Sequence, residues 1–415
     1  MNILRYAKLF GVTAIYQIAI QVIALLSGFL IVRLLPTDEY ASYTIANTML
    51  GVMTVLSDGG INSSFMYQGG KVWQDKFAFS EIFSTAHFLR KRFALITLVI
   101  GLPLLFFLLQ KQHVSILSSL LVIATLIPAF VSSLSDNLLQ VGPKLNQNIF
   151  PIQKNTLLVS LIRFFMVIPL LLVFPFTWLC LLLNGLTRMY GNFRLWQINK
   201  LYFNRTNKID HSIKKKMIRQ VARLLPASIY YCFSGQIAIW LMSILGSNSS
   251  VAGLGALGRF SLIFSIFSLI FGTIITPRFS RISDKSDKLF SHFIKIQIAG
   301  LLAGFFISIL FFLFSNYLLL LIGRSYLHLR VELFWSIVAG VIGTCAGFSF
   351  SLFTCRGWSI HPIFSIGINV SSIIAGVLCF EINTLKGVLM MNVFVNSVQY
   401  LLNTSFCFYK IKYSK

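Results

Sequence analysis

Three arginines, Arg163, Arg188 and Arg259, stand inside long apolar stretches of this 415-residue chain, and they are its residues best suited to chemistry. A guanidinium near the centre of a bilayer costs about 2.5–3.5 kcal/mol to insert, so it faces a polar cavity or a partner rather than lipid. Arg259 lies about ten residues, roughly 15 Å, from the outer end of its stretch, too deep to reach water easily. Arg188 shares one helix face with Asn184 and Asn192, one turn to either side. Arg163 is shallower and shares a face with Ser160. Acids are scarce, 11 Asp and Glu against 35 Lys and Arg. Of these acids, Asp58 lies within an apolar stretch and Asp136 at the inner end of one, while Glu332 and Glu381 stand at outer ends, far apart in sequence. Guanidinium groups with few carboxylates to answer them suit an anion, above all phosphate, which they bind in a bidentate fashion. The competing reading is that they bond helix carbonyls or reach lipid phosphates.

Amides form a second set. Gln17 and Gln21 lie one turn apart on one face, and Asn392, Asn396, Gln399 and Asn403 share a face near the end of the chain. Such amides bond either the hydroxyls of a sugar or a neighbouring helix. Asp58, just before Gly59 and Gly60, is either a protonatable coupling acid or one half of a structural ion pair or cap. Enzyme signatures are absent. The six histidines show no metal-ligand spacing, and there is neither a phosphate loop nor a nucleophile elbow. No metal or cofactor is expected.

The elements that must position these residues are membrane spans. The chain is 56% hydrophobic and 11% charged, with a mean hydropathy of +0.80, which leaves too little charge to cover a water-soluble surface. A helical span needs about 20 apolar residues. Twelve stretches qualify, at 9–32, 41–66, 93–110, 114–135, 156–175, 177–198, 224–245, 249–275, 296–322, 332–354, 362–381 and 387–409. Their continuous apolar character predicts helices rather than the alternating segments of a barrel. With both termini in the cytoplasm, 26 of the 35 basic residues fall inside, five outside and four within spans, the three arginines above and Arg194 near the inner end of the sixth. That bias is the positive-inside signature. The net charge of +24 is therefore a topology signal and an attraction to anionic lipid, and a nucleic-acid partner is not expected. The first apolar run is too long for a cleaved signal and is expected to persist as the first span. The six cysteines sit in or beside spans and read as small packing residues.

The longest polar connection, 200–223, divides the chain into two six-helix lobes, 1–199 and 224–415. Leu34-Leu35-Pro36 before Tyr40 is weakly echoed by Ile244-Leu245-Gly246 before Val251, as in a parallel repeat with a central cavity between lobes. Gly258, Ser261, Ser265, Ser268 and Gly272 form one small-residue stripe, and Gly340, Gly343 and Gly347 another; both predict close helix packing. Pro103, Pro128 and Pro169 fall inside spans and predict kinks.

Several local patterns resemble a known family. Arg33-Leu34-Leu35-Pro36-Thr37-Asp38-Glu39-Tyr40-Ala41-Ser42-Tyr43 is followed by Ser57-Asp58-Gly59-Gly60-Ile61. Gly235-Gln236-Ile237 runs through Leu245-Gly246 and Val251-Ala252-Gly253-Leu254 to Arg259, then Pro277-Arg278-Phe279. The stretch from Leu138 to Lys144 and on to Arg163 is also similar. Together these resemble the polysaccharide-exporter branch of the multidrug/oligosaccharidyl-lipid/polysaccharide (MOP) superfamily, and within it the O-antigen flippases of the Wzx group. Ala41, Leu254 and Ala238 depart from that pattern, the last where many relatives carry an acid.

The resemblance implies an all-α protein of twelve spans in a bacterial inner membrane, translocating undecaprenyl-pyrophosphate-linked oligosaccharide from the cytoplasmic to the periplasmic leaflet. Its lobes would rock around a cationic cavity, for which the residues themselves offer Arg259, Arg188, Arg163, Asn184, Gln17, Gln21 and Gln236 as lining, with Asp58 either a coupling acid or part of a structural pair. Its partners would be the lipid-linked cargo, the bilayer and other polysaccharide-assembly membrane proteins. A drug antiporter of the same superfamily and a membrane O-antigen polymerase are the rivals. The first predicts fewer intramembrane arginines and a clearer buried acid; the second predicts a large periplasmic loop. The topology has its own test. In a cysteine-free background, a membrane-impermeant maleimide applied to intact spheroplasts should label single cysteines at Asn248 and Ser325 and spare those at Ser212 and Lys288. The reverse pattern inverts the orientation.

Overall fold

The computed structural model describes residues 3–146, 148–203, 209–276, 279, 282, 287–356, 358 and 360–413. Among the described residues the regular elements are all helical, and no strand occurs. In chain order they are α1 (Ile3–Leu34), α2 (Thr37–Asp58), α3 (Ile61–Lys71), α4 (Lys76–Lys111), α5 (Ile116–Leu139), α6 (Val141–Leu145), α7 (Phe150–Val173), α8 (Thr177–Asn199) and α9 (His211–Leu245). There follow α10 (Asn248–Leu257), a 3₁₀ turn (Gly258–Phe260), α11 (Ser261–Ile270), a π turn (Phe271–Ile275), α12 (Asp287–Leu313), α13 (Ser315–Ile322), α14 (Arg330–Thr354), α15 (Pro362–Cys379) and α16 (Leu385–Tyr413). Each of the twelve sequence-read spans coincides with one helix or one interrupted helix.

Eight helices are both long and apolar enough to cross a membrane on their own terms, and Ser234–Leu245 and Ile363–Cys379 are shorter apolar segments. The two spans that fall short, α2 and α8, are the polar ones, and their polarity is turned inward. In α2, Tyr40, Ser42, Thr44 and Thr48 are all buried, and Thr44 donates to the Tyr40 carbonyl at 2.9 Å. In α8, Thr187, Asn192 and Asn199 are buried.

Three spans are interrupted. The second breaks at Gly59 and Gly60, whose φ of +48° and +93° admit little but glycine; the Gly59 N–H closes the last turn of α2 on the Val55 carbonyl at 3.0 Å. The eighth is broken by the 3₁₀ and π turns, and the ninth at Phe314. Pro103, Pro128 and Pro169 lie inside α4, α5 and α7, and each helix runs on through its proline.

By backbone packing the chain forms two compact units, 1–244 and 245–415. In the first unit α9 is tied in by Gln112, which donates to the Ser243 carbonyl at 2.7 Å, and by Leu225 against Gly59. Glu39, from the Arg33–Tyr43 motif, holds the start of α8: its carboxylate accepts from the Thr177 N–H at 2.7 Å. That is a charge-assisted bond at a helix N-terminus, worth more than a neutral one.

Both units contain the same seam. In the first, Asn192 and Asn199 of α8 donate to the carbonyls of Ser132 (2.7 Å) and Leu139 (2.7 Å) on α5. Gly185, seven residues earlier, lets the Ala129 backbone approach so closely that a Cβ there would meet it at 2.9 Å. In the second, Asn396 and Asn403 of α16 donate to the carbonyls of Ala339 (3.0 Å) and Ala346 (3.1 Å) on α14. A spacing of seven keeps successive amides on one line of a helix pair packed like a coiled coil. The fourth and sixth spans of the chain are thus joined as the tenth and twelfth are, the structural counterpart of the faint repeat in the sequence. Interhelical hydrogen bonds of this kind contribute about 0.6 kcal/mol on average and up to about 1.7 kcal/mol. Asn199→Ala and Asn403→Ala should each cost on the order of 1 kcal/mol, seen as a fall of a few degrees in the Tm of the purified protein. Asn392→Ala, off the seam, should leave Tm unchanged.

Candidate functional site

In the first unit, two of the three intramembrane arginines meet around α8. Arg163 on α7 donates from Nη1 to Oδ1 of Asn184 at 3.3 Å, and Arg188 donates from Nη1 to Oγ of Ser133 on α5 at 3.2 Å. Both arginines and Asn184 are half-buried. One face of α8 thus divides its labour. Asn192 and Asn199 are spent on the α5 seam, while Asn184 and Arg188, with Arg163 from α7, are half-buried. Asn155 and Gly191 close the inner part of the α7–α8 contact, with Asn155 donating to the Gly191 carbonyl at 3.1 Å.

Gln17 donates to Oε1 of Gln153 on α7 at 3.0 Å, a partner that sequence spacing did not point to. Gln21 on α1 and Gln236 on α9 are half-buried. The amides of α16 take the alternative set out for them: Asn396 and Asn403 bond α14, and Gln399 donates to Asn403 Oδ1 at 3.3 Å.

Asp58 is half of an ion pair. Its carboxylate lies 2.6 Å from Nη2 of Arg90 on α4, and Arg90 is only 2% exposed. Arg90 belongs to the run Arg90-Lys91-Arg92, which reads in sequence as loop charge; α4, however, begins at Lys76 and carries the run as helix. Lys91 and Arg92 are outward, Arg90 inward. Helix periodicity extended upstream from the apolar span was the available signal. Close by in sequence, Gln140 donates to Asp136 at 3.2 Å. Burial lowers the pKa of the Lys144 ammonium between the fourth and fifth spans, and the charge of Asp136 partly offsets this.

In the second unit, Arg259 is half-buried in the 3₁₀ turn Gly258–Phe260. Around it the small-residue stripe of the eighth span behaves differently from the expected packing face. A Cβ at Gly258 or Gly272 would meet nothing within 4 Å, and Ser261 and Ser268 are exposed. Their hydroxyls satisfy themselves locally, on the carbonyls of Gly258 (2.6 Å) and Phe264 (3.0 Å). The stripe on α14 is a packing face in part: a Cβ at Gly340 would strike the Phe264 ring. The second span presents a face like that of the eighth, with Asn47 and Gly51 exposed one turn apart and open space beside Gly51. An exposed amide such as Asn47 at membrane depth suits a water-filled cavity better than lipid. Interruptions in mid-helix often mark functional hinges. The arrangement offers guanidinium groups for an anion, and amides and hydroxyls for a hydroxyl-rich ligand. Among the described residues no cluster of metal-binding side chains occurs.

No family model matches the sequence, and no curated protein does. Solved structures do. An inward-facing multidrug resistance MATE family transporter of the MOP superfamily superimposes with a TM-score of 0.71 at 13% identity, over 96% of this chain and 98% of that one. An outward-facing conformation of such a transporter gives 0.62 at 14% identity, over 96% and 94%. The chain has the MATE-transporter fold. A MOP superfamily transporter from Pyrococcus furiosus, described as having a binding pocket of reverse polarity, matches with a TM-score of 0.63 at 13% identity over 96% and 94%. Twelve spans in two lobes follow from that fold, in agreement with the span reading.

The Asp58–Arg90 pair separates a structural from a coupling role for Asp58. Asp58→Asn strands a buried guanidinium, which should cost about 3 kcal/mol and lower both the yield of folded protein and its Tm. Asp58→Asn combined with Arg90→Met should restore both. If Asp58→Asn instead folds and melts like wild type while transport stops, the acid is a coupling group and the pair is incidental.

Proposed function

We propose that the protein translocates undecaprenyl-pyrophosphate-linked O-antigen repeat units from the cytoplasmic to the periplasmic leaflet of a bacterial inner membrane. Lobes 1–199 and 224–415, joined by the basic linker 200–223, alternate in access around a central cavity. The observation that carries this reading is the set of intramembrane guanidinium groups in a chain with 11 acids: Arg163 and Arg188 gathered at Asn184 and Ser133, and Arg259 at a break beside an exposed polar stripe. A pyrophosphate needs several such donors, and the amides of Gln17, Gln21, Asn184 and Gln236 suit sugar hydroxyls. Resemblance to O-antigen flippases and the transporter fold support the same conclusion.

A drug antiporter is the second reading, favoured by the multidrug transporters among the structural neighbours. A cationic drug would be repelled by the arginines, and Asp58 is engaged by Arg90. These charges weigh toward an anionic cargo.

A deletion strain complemented with wild type, Arg259→Ala or Arg259→Lys at matched membrane expression tests the proposal. Arg259→Ala should reduce surface polysaccharide about tenfold or more, the loss of one charged hydrogen-bonding group. It should also leave the lipid-linked unit on the cytoplasmic face. Arg259→Lys should fall between. Arg188→Ala and Arg163→Ala should also reduce export, because a pyrophosphate needs several such donors. Normal export by Arg259→Ala makes that arginine structural. Unpolymerised units on the periplasmic face of the deletion strain identify a polymerase, and a change in drug tolerance alone identifies an antiporter.

A further inference from the structure

Where α3 ends and α9 begins, the first unit contains a cavity of about 670 Å³ lined by Tyr67, Gln68, Ser212, Lys215, Lys216, Arg219 and Gln220. That is within the roughly 300–1,000 Å³ typical of small-ligand pockets. Three of the seven lining residues are cations and none is an acid. A fourth cation adjoins it, the Lys71 ammonium, 4.2 Å from the centre of the Tyr67 ring. The nearest acid in sequence, Asp210, is occupied in capping α9: its carboxylate accepts from the N–H groups of Ser212 (2.7 Å) and Ile213 (3.1 Å). The backbone bond from Ile213, followed by contributions from Ser212, holds the pKa of that carboxyl below its ordinary value. The charge of Lys216 adds a smaller lowering, so Asp210 offsets part of one pocket base and leaves Lys215 and Arg219.

The cavity lies beyond the apolar part of the second and seventh spans, among the connections that carry most of the chain's Lys and Arg. The segment that follows α3 bears large apolar side chains in the open. Trp73 is 41% and Phe77 78% exposed, and Ile218, beside Arg219, is 43% exposed. Exposed aromatics at the end of spans belong at the headgroup level of a bilayer. Cation-rich pockets at that level bind phosphorylated headgroups. Soluble phosphate would need the same bases but not the apolar rim.

From this geometry we infer a second anion site, separate from the intramembrane arginines, in which Lys215, Lys216 and Arg219 bind the phosphoryl headgroup of a membrane lipid, with Tyr67, Gln68 and Gln220 supplying neutral hydrogen bonds. The inference does not depend on what is transported: an acidic phospholipid and a polyprenyl diphosphate present the same chemistry, and the flippase reading survives its failure.

The test uses the full chain in phosphatidylcholine nanodiscs, with farnesyl diphosphate and short-chain phosphatidylglycerol as lipid probes and inorganic pyrophosphate as the free anion. Lys215→Gln/Lys216→Gln/Arg219→Gln should bind the lipid probes about 100-fold more weakly than wild type, a factor of roughly five for each base lost. It should elute and melt as wild type does, because these side chains are exposed. Lys215→Arg/Lys216→Arg, which keeps the charge, should bind normally, and Lys410→Gln/Lys412→Gln, which removes bases elsewhere, should also bind normally. Equal binding by wild type and the triple variant overturns the site. Inorganic pyrophosphate bound as tightly as farnesyl diphosphate overturns its assignment to a lipid.

Discussion

A polar group placed at membrane depth finds no water to bond, so an answer from protein or from a wet cavity is strongly favoured, and this constraint sorts the amides and guanidinium groups of the spans. The amides at the helix seams are answered first. Asn192, Asn199, Asn396 and Asn403 each reach a carbonyl of a neighbouring helix, although those carbonyls already lie within helices. A carbonyl has two lone pairs, so it can accept one bond along its own helix and another across the interface. The donors come from one helix and the acceptors from the other, and the seven-residue period fixes rotation and axial register together. Apolar packing alone would fix neither, because lipid tails are as apolar as leucine and give no preference for helix over solvent.

Once these seams are set, the polar groups they do not use become informative. Arg163 and Asn184 bond each other between α7 and α8, Arg188 reaches Ser133 on α5, and Arg259 lies at a break in the eighth span. The breaks themselves follow from local chemistry. Gly59 and Gly60 adopt left-handed backbone that ends one helix and begins another. At 258–275 the helix passes through 3₁₀, α and π geometry where few side chains press against its glycines. A helix pinned along a seam resists bending, whereas one with open space beside Gly51, Gly258 and Gly272 can hinge. Spans two and eight combine open glycines with exposed polar faces, which is the property needed in elements that move past a hydrated ligand.

The number and placement of the spans were legible because hydropathy is a local property, summed over about twenty residues. The ends of the helices were less so: α4 begins at Lys76, well upstream of its apolar core, and α9 at His211. Polar residues beyond the hydrocarbon can stay helical without leaving any mark in hydropathy. Partnerships were less legible still. Gln17 with Gln153, and Asp58 with Arg90, join residues 136 and 32 positions apart, and nothing in local spacing distinguishes an amide that will meet a neighbour from one that will face a cavity. The stripe at 258–272 shows the same ambiguity. Small residues at helical spacing permit close packing, but they equally permit an open face, and only the presence of a neighbour such as Phe264 at Gly340 decides between them.

Charge ties the two scales together. The same scarcity of acids that makes the basic residues a clear topological signal also leaves the intramembrane arginines little chance of neutralisation within the protein. One acid that does lie within a span, Asp58, is spent on Arg90, a cation carried inward by α4. Had Asp58 been free, a cationic ligand or a proton would have been its natural partner; paired as it is, the remaining field in that unit is positive. An anionic headgroup meeting this protein encounters positive charge first at the exposed bases of α9 and again at the half-buried guanidinium groups of α7 and α8. At the half-buried groups the same charge acts through a lower dielectric, but an anion must shed water to reach them, so the two effects oppose each other.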